Sequence, residues 1–205
     1  MEKDGDSNTA LDLNPQQAQI IAAFLNFCLA EGVENATQQK IAKQTKIALS
    51  TLQYYFGQGK LDLNQTAVQW VAKVGREFTS QILLRESKKP SYQPVHAYLR
   101  TQYAWAKKYP AHASYWLYSH YQGSIQSKYR QFHADFLEGG RKRLESLIFE
   151  HYGRARKTPP MNVPDLAMQI HTMLHGSIIV GIVDSRGSLR AQEDLIMRWL
   201  EKILA

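Results

Sequence analysis

The sequence predicts an all-α chain of about nine helices, a small N-terminal unit of three followed by a larger helical region. Three observations predict it. Apolar residues recur at helical spacing through nearly every segment. No stretch alternates apolar and polar residues between turn signals, as a half-buried strand does. At 205 residues, 44% hydrophobic and 21% charged, the chain is long enough to bury a core and too apolar to stay disordered.

Residues 1–13 read as a mobile acidic tail. The first helix begins at Asn14-Pro15-Gln16-Gln17. Asn suits the N-cap, Pro the first helical position, and Gln17 can close a capping box. Ile20, Ile21, Phe24, Leu25, Cys28 and Leu29 form its apolar stripe, and Gly32 ends it. Two short helices follow, about Thr37 to Gln44 and about Leu49 to Phe56, before the break at Gly57-Gln58-Gly59. A long helix spans about Leu61 to Ser87, with Trp70, Val74, Phe78 and Ile82 on one stripe. Pro94 opens the next, which reaches Tyr109-Pro110, and another covers about Ala111 to Tyr121. A second long helix spans about Ser124 to Tyr152, with the stripe Ile125, Tyr129, Phe132 and Phe136. Gly139-Gly140 in its middle predicts a kink or a close approach. The basic, proline-rich run Gly153 to Pro164 is a loop. Helices at about Asp165–Asp184 and Leu189–Leu204, joined by Ser185-Arg186-Gly187-Ser188, complete the chain.

Charge is unevenly placed. Residues 1–36 carry six acids and one base, whereas residues 37–60 carry Lys40, Lys43, Lys46 and Lys60 and no acid. An acid-free window rich in Gln, Ser, Thr and Tyr is what a surface facing phosphates looks like, although a solvated helix face has the same composition. The single cysteine, Cys28, excludes a disulfide framework and a cysteine-based zinc site. The residues Met1 to Leu13 hold no apolar block, so no signal peptide is expected, and the uncharged run Ser177 to Val183 is too short to span a bilayer. The expectation is a cytoplasmic protein with no membrane association.

Two short helices around a tight turn, behind a capped helix and ahead of a long one, have the order of a helix-turn-helix. The second must be short enough to lie in the major groove and must carry small or polar residues early, with phosphate-holding groups on its flanks. Leu49 to Phe56 meets this through Ser50, Thr51 and Gln53, with Tyr54, Tyr55 and Lys60 beyond. From Ile20 to Phe56 the spacing resembles that of the tetracycline-repressor (TetR) family of transcriptional regulators. The resemblance is carried by Ile20 through Thr37, with Glu31 and Gly32, then by Ile41-Ala42, Ile47 and Ser50-Thr51-Leu52-Gln53-Tyr54-Tyr55-Phe56. It covers about residues 15–65; beyond that only the number and lengths of helices agree.

The departures from the family pattern are local. The turn has Thr45-Lys46 where the family has glycine or alanine-glycine, and a lysine in a left-handed turn costs on the order of 1 kcal/mol. The usual capping serine of the recognition helix is Ala48, forgoing about 1 kcal/mol. Gln53 replaces an aromatic, and Lys60 comes one residue late, as though Gly59 were inserted.

The resemblance implies an N-terminal DNA-binding domain over residues 14–62 and a ligand-binding and dimerisation domain over 63–205. It implies that Thr37 contacts phosphate, that Gln38 and Gln39 reach the groove edge, and that Ala48, Leu49 and Ser50 meet bases. Chemistry agrees for Gln53, whose amide can pair with adenine, and for Leu49, which can touch a thymine methyl. Tyr54, Tyr55 and Lys60 would hold the backbone; for the tyrosines, core packing is the alternative.

Eight of the 11 tyrosines lie between residues 92 and 129, with Trp105 and Trp116 among them. Such aromatics suit a pocket for a small planar or apolar molecule, or equally a bulky helical core. The candidate lining is Trp70, Phe78, Tyr103, Trp105, Trp116, His120, Tyr129, Phe132 and His171. His171 and His175, four apart on one helix, have metal-sharing spacing, but no HExxH motif or nearby cysteine accompanies them, and no metal or cofactor is expected. Leu166, Ile170, Leu174, Ser177 and Gly181 form one stripe, and Ile196, Trp199, Leu200 and Ile203 another. The resemblance implies that they pair across a two-fold as a four-helix bundle; intrachain core is the alternative.

The sequence-level expectation is therefore a homodimer bound to a roughly palindromic double-stranded operator, most simply a repressor released by an unidentified small-molecule effector. A helical DNA-binding or partner-binding protein without an effector is the alternative. No Gly-rich phosphate loop, ordered catalytic triad or paired-carboxylate signature points to an enzyme.

Overall fold

The computed structural model describes residues 11–57, 62–184 and 188–204. Among these it contains nine α-helices, one 3-10 turn and no strand: α1 (Pro15–Glu31), the turn Val33–Asn35, α2 (Gln38–Thr45), α3 (Leu49–Phe56), α4 (Leu63–Glu86), α5 (Pro94–Lys108), α6 (Pro110–Ile125), α7 (Ser127–Ala155), α8 (Val163–Val183) and α9 (Leu189–Ile203). The chain divides into two compact units, Met1–Lys73 and Val74–Ala205. Lys60, Gly59 and the Ser185-Arg186-Gly187 link lie outside the described residues, as do residues 1–10 of the expected tail.

In the first unit the local signals decide the helix ends. The Asn14 side chain accepts from the Gln17 amide at 2.9 Å, and the Gln17 side chain accepts from the Asn14 amide at 2.9 Å, closing the capping box. Gly32 ends α1 at φ 84°, ψ 151°, a conformation that essentially only glycine adopts. Ile20, Ile21 and Leu25 of α1 are fully buried with Ile41 of α2 and Leu52 of α3, making one small core. The 3-10 turn Val33–Asn35 carries no sequence signal of its own; the Asn35 side chain ties it back to the Glu31 carbonyl at 2.6 Å.

In the second unit α8 lies at the centre, packed most extensively against α7 and α9. Leu166, Ala167 and Ile170 are fully buried, with Leu174 and Ile178 nearly so. By length and composition alone α8 could cross a membrane; one face, with Leu166, Ala167 and Ile170, is covered within the unit, and Met168, Met173, Val180 and Val183 on the helix are exposed.

Several expectations about faces need correction. On α4 the expected stripe Trp70, Val74, Phe78 and Ile82 is only half-buried. The buried positions are Thr66, Ala67, Val71, Ala72 and Thr79. Threonine fits there because its hydroxyl returns to the helix, Thr66 to the Asp62 carbonyl at 2.7 Å and Thr79 to the Gly75 carbonyl at 2.8 Å. Helix α6 runs through Gly123 to Ile125 rather than stopping near Tyr121, and Ile125 is exposed. Helix α7 is continuous through Gly139-Gly140. Gly140 serves a close approach: a Cβ there would lie 2.6 Å from Nε2 of His171.

Candidate functional site

Helix α2 starts at Thr37, whose hydroxyl accepts from the Lys40 amide at 3.4 Å, and ends in a buried anchor. The Thr45 hydroxyl donates to the carbonyls of Ile41 and Ala42, at 2.8 and 3.2 Å. The turn to α3 is made by Lys46 in the left-handed region, φ 56° and ψ 34°, with the Ile47 amide returning to the Ala42 carbonyl at 3.1 Å. Lys46 therefore adopts a backbone conformation that favours glycine. Ala48 stands at the N-cap of α3 with no side-chain cap. At the other end a Cβ on Gly57 would lie 2.2 Å from the Gln53 carbonyl oxygen, so the close return of the chain requires glycine.

This frame sorts the expected contact residues. Thr37, Gln39, Ala48, Ser50 and Gln53 are exposed, and Leu49 is half-buried. Tyr54 is 63% exposed and stands edge-on to Tyr55 with ring centroids 5.2 Å apart. Two residues are committed internally. The Gln38 side chain donates to the Phe56 carbonyl at 3.2 Å, and the Tyr55 hydroxyl donates to Oε1 of Gln16 at 3.0 Å. Both fasten α3 to the rest of the unit. Lys40, Lys43 and Lys46 are all exposed, so α2 and its turn present three ammonium groups beside the polar face of α3, with no carboxylate from 37 to 57. Such a surface can bind a polyanion through its charges and offer amide and hydroxyl groups to base edges.

The expected pocket residues divide between the two units. Trp70 lies in the first, with the Lys73 ammonium 5.8 Å from its ring. In the second, Phe78 meets Tyr109 edge-on at 5.8 Å. Tyr103 is fully buried, its hydroxyl hydrogen-bonded to Ser177. Trp105 packs against Gly75 of α4, where a Cβ would be 3.6 Å from the indole, and its Nε1 is buried without a partner. Tyr129 is buried and Phe132 half-buried.

Trp116, His120 and His171 come together, and two further histidines join them. Trp116 lies 4.5 Å from His120 and 5.1 Å from His175 between ring centroids. His120 lies 5.2 Å from His133 and 5.9 Å from His175, and His171 is 4.0 Å from His175. Burial lowers the affinity of all four rings for a proton, His171 to about 4 and His175 well below the usual histidine range. The four-residue spacing of His171 and His175 was legible in sequence. The approach of His133 was not, because it depends on Gly123, where a Cβ would lie 2.5 Å from that ring.

The expected dimer stripes are largely internal. Leu166, Ile170, Leu174 and Ile196 are buried in the core of the single chain, which leaves them nothing to offer a second copy. Gly181 packs on α9, where a Cβ would be 3.0 Å from Leu189, and Ser177 donates to the Leu174 carbonyl at 2.8 Å. Trp199 and Ile203 are half-buried. The apolar side chains left open on these helices are Met168, Met173, Val180 and Val183 of α8 and Leu195 of α9, between 41% and 62% exposed.

No protein-family model and no curated protein matches the sequence. The fold does match solved structures. The fatty acid degradation regulator of Bacillus halodurans superposes with a TM-score of 0.75 at 14% identity, covering 95% of this chain and 97% of that one. A protein from Saccharomonospora viridis, assigned as a transcriptional regulator and bound to choline, gives 0.75 at 16% identity, covering 91% and 95%. A TetR-like transcriptional regulator from Rhodococcus sp. RHA1 gives 0.64 at 14% identity, covering 93% and 99%. The chain thus has the all-α fold of TetR-type regulators.

Proposed function

We propose that this protein is a transcriptional regulator of the TetR family, a cytoplasmic homodimer that binds a roughly palindromic double-stranded operator through α2 and α3. One observation carries the reading: within a fold shared with such regulators, α3 exposes Ser50, Gln53 and Tyr54, and the stretch 37–57 adds three exposed lysines and no acid. In this reading Lys40, Lys43, Lys46, Lys60 and Thr37 hold phosphates, Gln53 and Leu49 read bases, and Gln38 and Tyr55 position α3. The second unit binds a small-molecule effector that prefers one conformation, and that preference is what weakens DNA binding. The exposed methionine and valine stripe of α8, with Leu195 of α9, is the surface for the second copy. The reading assigns no catalysis.

The test is an electrophoretic shift with DNA from upstream of the protein's own gene, across salt concentrations, beside the variant Gln53→Ala/Tyr54→Phe. Specific, salt-weakened binding that the variant loses is expected. Binding with no preference over random DNA of equal length, equal in wild type and variant, overturns it.

A further inference from the structure

Two contacts fix where the N-terminal segment joins the first unit, and both lie beside α3. The Lys73 ammonium of α4 donates to the Leu11 carbonyl at 3.0 Å. Five residues on, the Gln16 side chain accepts from the Tyr55 hydroxyl at 3.0 Å. Tyr55 is next to the last residue of α3, and its ring centroid is 5.2 Å from that of the exposed Tyr54. The bond from Gln38 to the Phe56 carbonyl brings the start of α2 to the same end of α3. The chain therefore enters the fold where the exit of α3 meets the entrance of α2, and residues 1–10 are tethered at that point.

The charges on the two sides are complementary. Residues 1–12 carry Glu2, Asp4, Asp6 and Asp12 against one base, Lys3. The stretch 37–57 carries Lys40, Lys43 and Lys46, all exposed, and no acid. In the second unit several bases are matched: Lys89 with Glu86, Lys107 with Glu193, Arg141 with Glu138 and Arg154 with Glu150. Among the described residues none of Lys40, Lys43 and Lys46 forms an ion pair. Reach is sufficient. Ten residues span at most about 33–36 Å when extended, whereas a helix of the length of α3 is only about 12 Å long. Exposed ion pairs are individually weak. A short tether supplies its carboxylates at an effective concentration on the order of millimolar, which is what such weak pairs need.

We propose that the acidic N-terminal segment lies back over α2 and α3 of its own chain, with Glu2, Asp4 and Asp6 on Lys40, Lys43 and Lys46, and that DNA must displace it. This rests on the reading of α2 and α3 as the DNA-binding surface and adds an autoinhibitory contact to it. Carboxylates and phosphates need the same ammonium groups, so the segment and the duplex exclude each other. Salt screens the contact because its ion pairs are exposed. Salt also weakens DNA binding, so the two effects partly cancel, and the intact chain should show a shallower salt dependence than a chain whose segment is uncharged.

The test has two arms on the full-length protein. The first is free of DNA. A carbodiimide joins a carboxylate to an ammonium only where the two touch, and mass spectrometry locates the amide. Links from Glu2, Asp4 or Asp6 to Lys40, Lys43 or Lys46 are expected at about 20 mM salt and should vanish at about 500 mM. Mixing with isotope-labelled protein separates links within a chain from links between copies. No such link, links only between copies, or links only to lysines of the second unit overturns the proposal. The second arm compares wild type with Glu2→Gln/Asp4→Asn/Asp6→Asn by fluorescence anisotropy on a random-sequence duplex. The variant should bind about two- to fivefold more tightly at about 50 mM salt, and the gap should close by about 300 mM. Equal or weaker binding by the variant overturns the proposal, and so does tighter binding without the cross-links, which is general charge repulsion. Cross-links in a protein that binds no DNA count against the regulator reading alone. DNA binding that the variant leaves unchanged counts against the N-terminal contact alone.

Discussion

The side chain of Gln38, the first residue of α2, donates to the carbonyl of Phe56, the last residue of α3, at 3.2 Å. The bond joins the entrance of one helix to the exit of the next and satisfies a terminal carbonyl that has no intrahelical donor. It fixes the angle at which α3 is presented.

Gln38→Ala should therefore act on presentation more than on contact. Stability should fall by about 1 kcal/mol, the usual net worth of such a bond. DNA affinity should fall several-fold without a change in the steepness of its salt dependence, because no phosphate contact is removed. Removing a lysine, as in Lys43→Ala, should lessen that steepness. The two variants compared by DNA binding at four salt concentrations separate the effects.

The turn before α3 carries two local penalties that substitution should relieve. Lys46 occupies the left-handed region at φ 56°, and Ala48 caps α3 without a side-chain acceptor. Lys46→Gly should stabilise the first unit by up to about 1 kcal/mol, and Ala48→Ser by about 0.5–2 kcal/mol. Chemical denaturation reads both; a loss of stability in the serine variant would mean the cap is not limiting. By contrast Gly32→Ala should destabilise by about 1–3 kcal/mol, since φ 84° with ψ 151° strains any side chain.

Cys28 should be nearly inert. Burial in the α1 core pushes its thiol up to about 12, and the side chain is 9% exposed. Little thiolate exists at neutral pH, so reaction with a thiol reagent should be slow in the native protein and rapid in denaturant. Equal rates in the two conditions would contradict the burial.

Acid should destabilise the second unit earlier than carboxylate titration alone would. His120, His133, His171 and His175 all have folded-state values below the ordinary 6.5, and His171 lies at about 4. The unfolded chain binds these protons more readily, so the contribution is complete above pH 6.5 and is lost as pH falls toward 4. For His171 alone the loss is on the order of 3 kcal/mol. Thermal melts between pH 7.5 and 4.5 should show the decline, and His171→Gln should flatten it.

The sequence by itself determined what is local. The capping box of Asn14 and Gln17, the stop at Gly32 and the span of α3 from Leu49 to Phe56 each depend on residues within a turn of one another, and all stand where they were expected. The exposed groups of α3 were legible for the same reason, since a short amphipathic helix with Leu52 and Phe56 buried leaves its other faces open. Tertiary structure decided what depends on distant partners. Gln38 was expected at the groove edge, and Tyr55 either on the DNA backbone or in the core; only the fold brought Phe56 and Gln16 beside them. On α8 an apolar residue occurs on nearly every face, so periodicity could not say which side the bundle would cover; α7 and α9 took Leu166, Ile170 and Leu174 and left Met168, Met173 and Val180 outside. The cluster in which His120 meets His133 and His175, and His175 meets His171, needed three helices and the missing side chains of Gly123 and Gly140, a complementarity of shape that no spacing within one helix encodes.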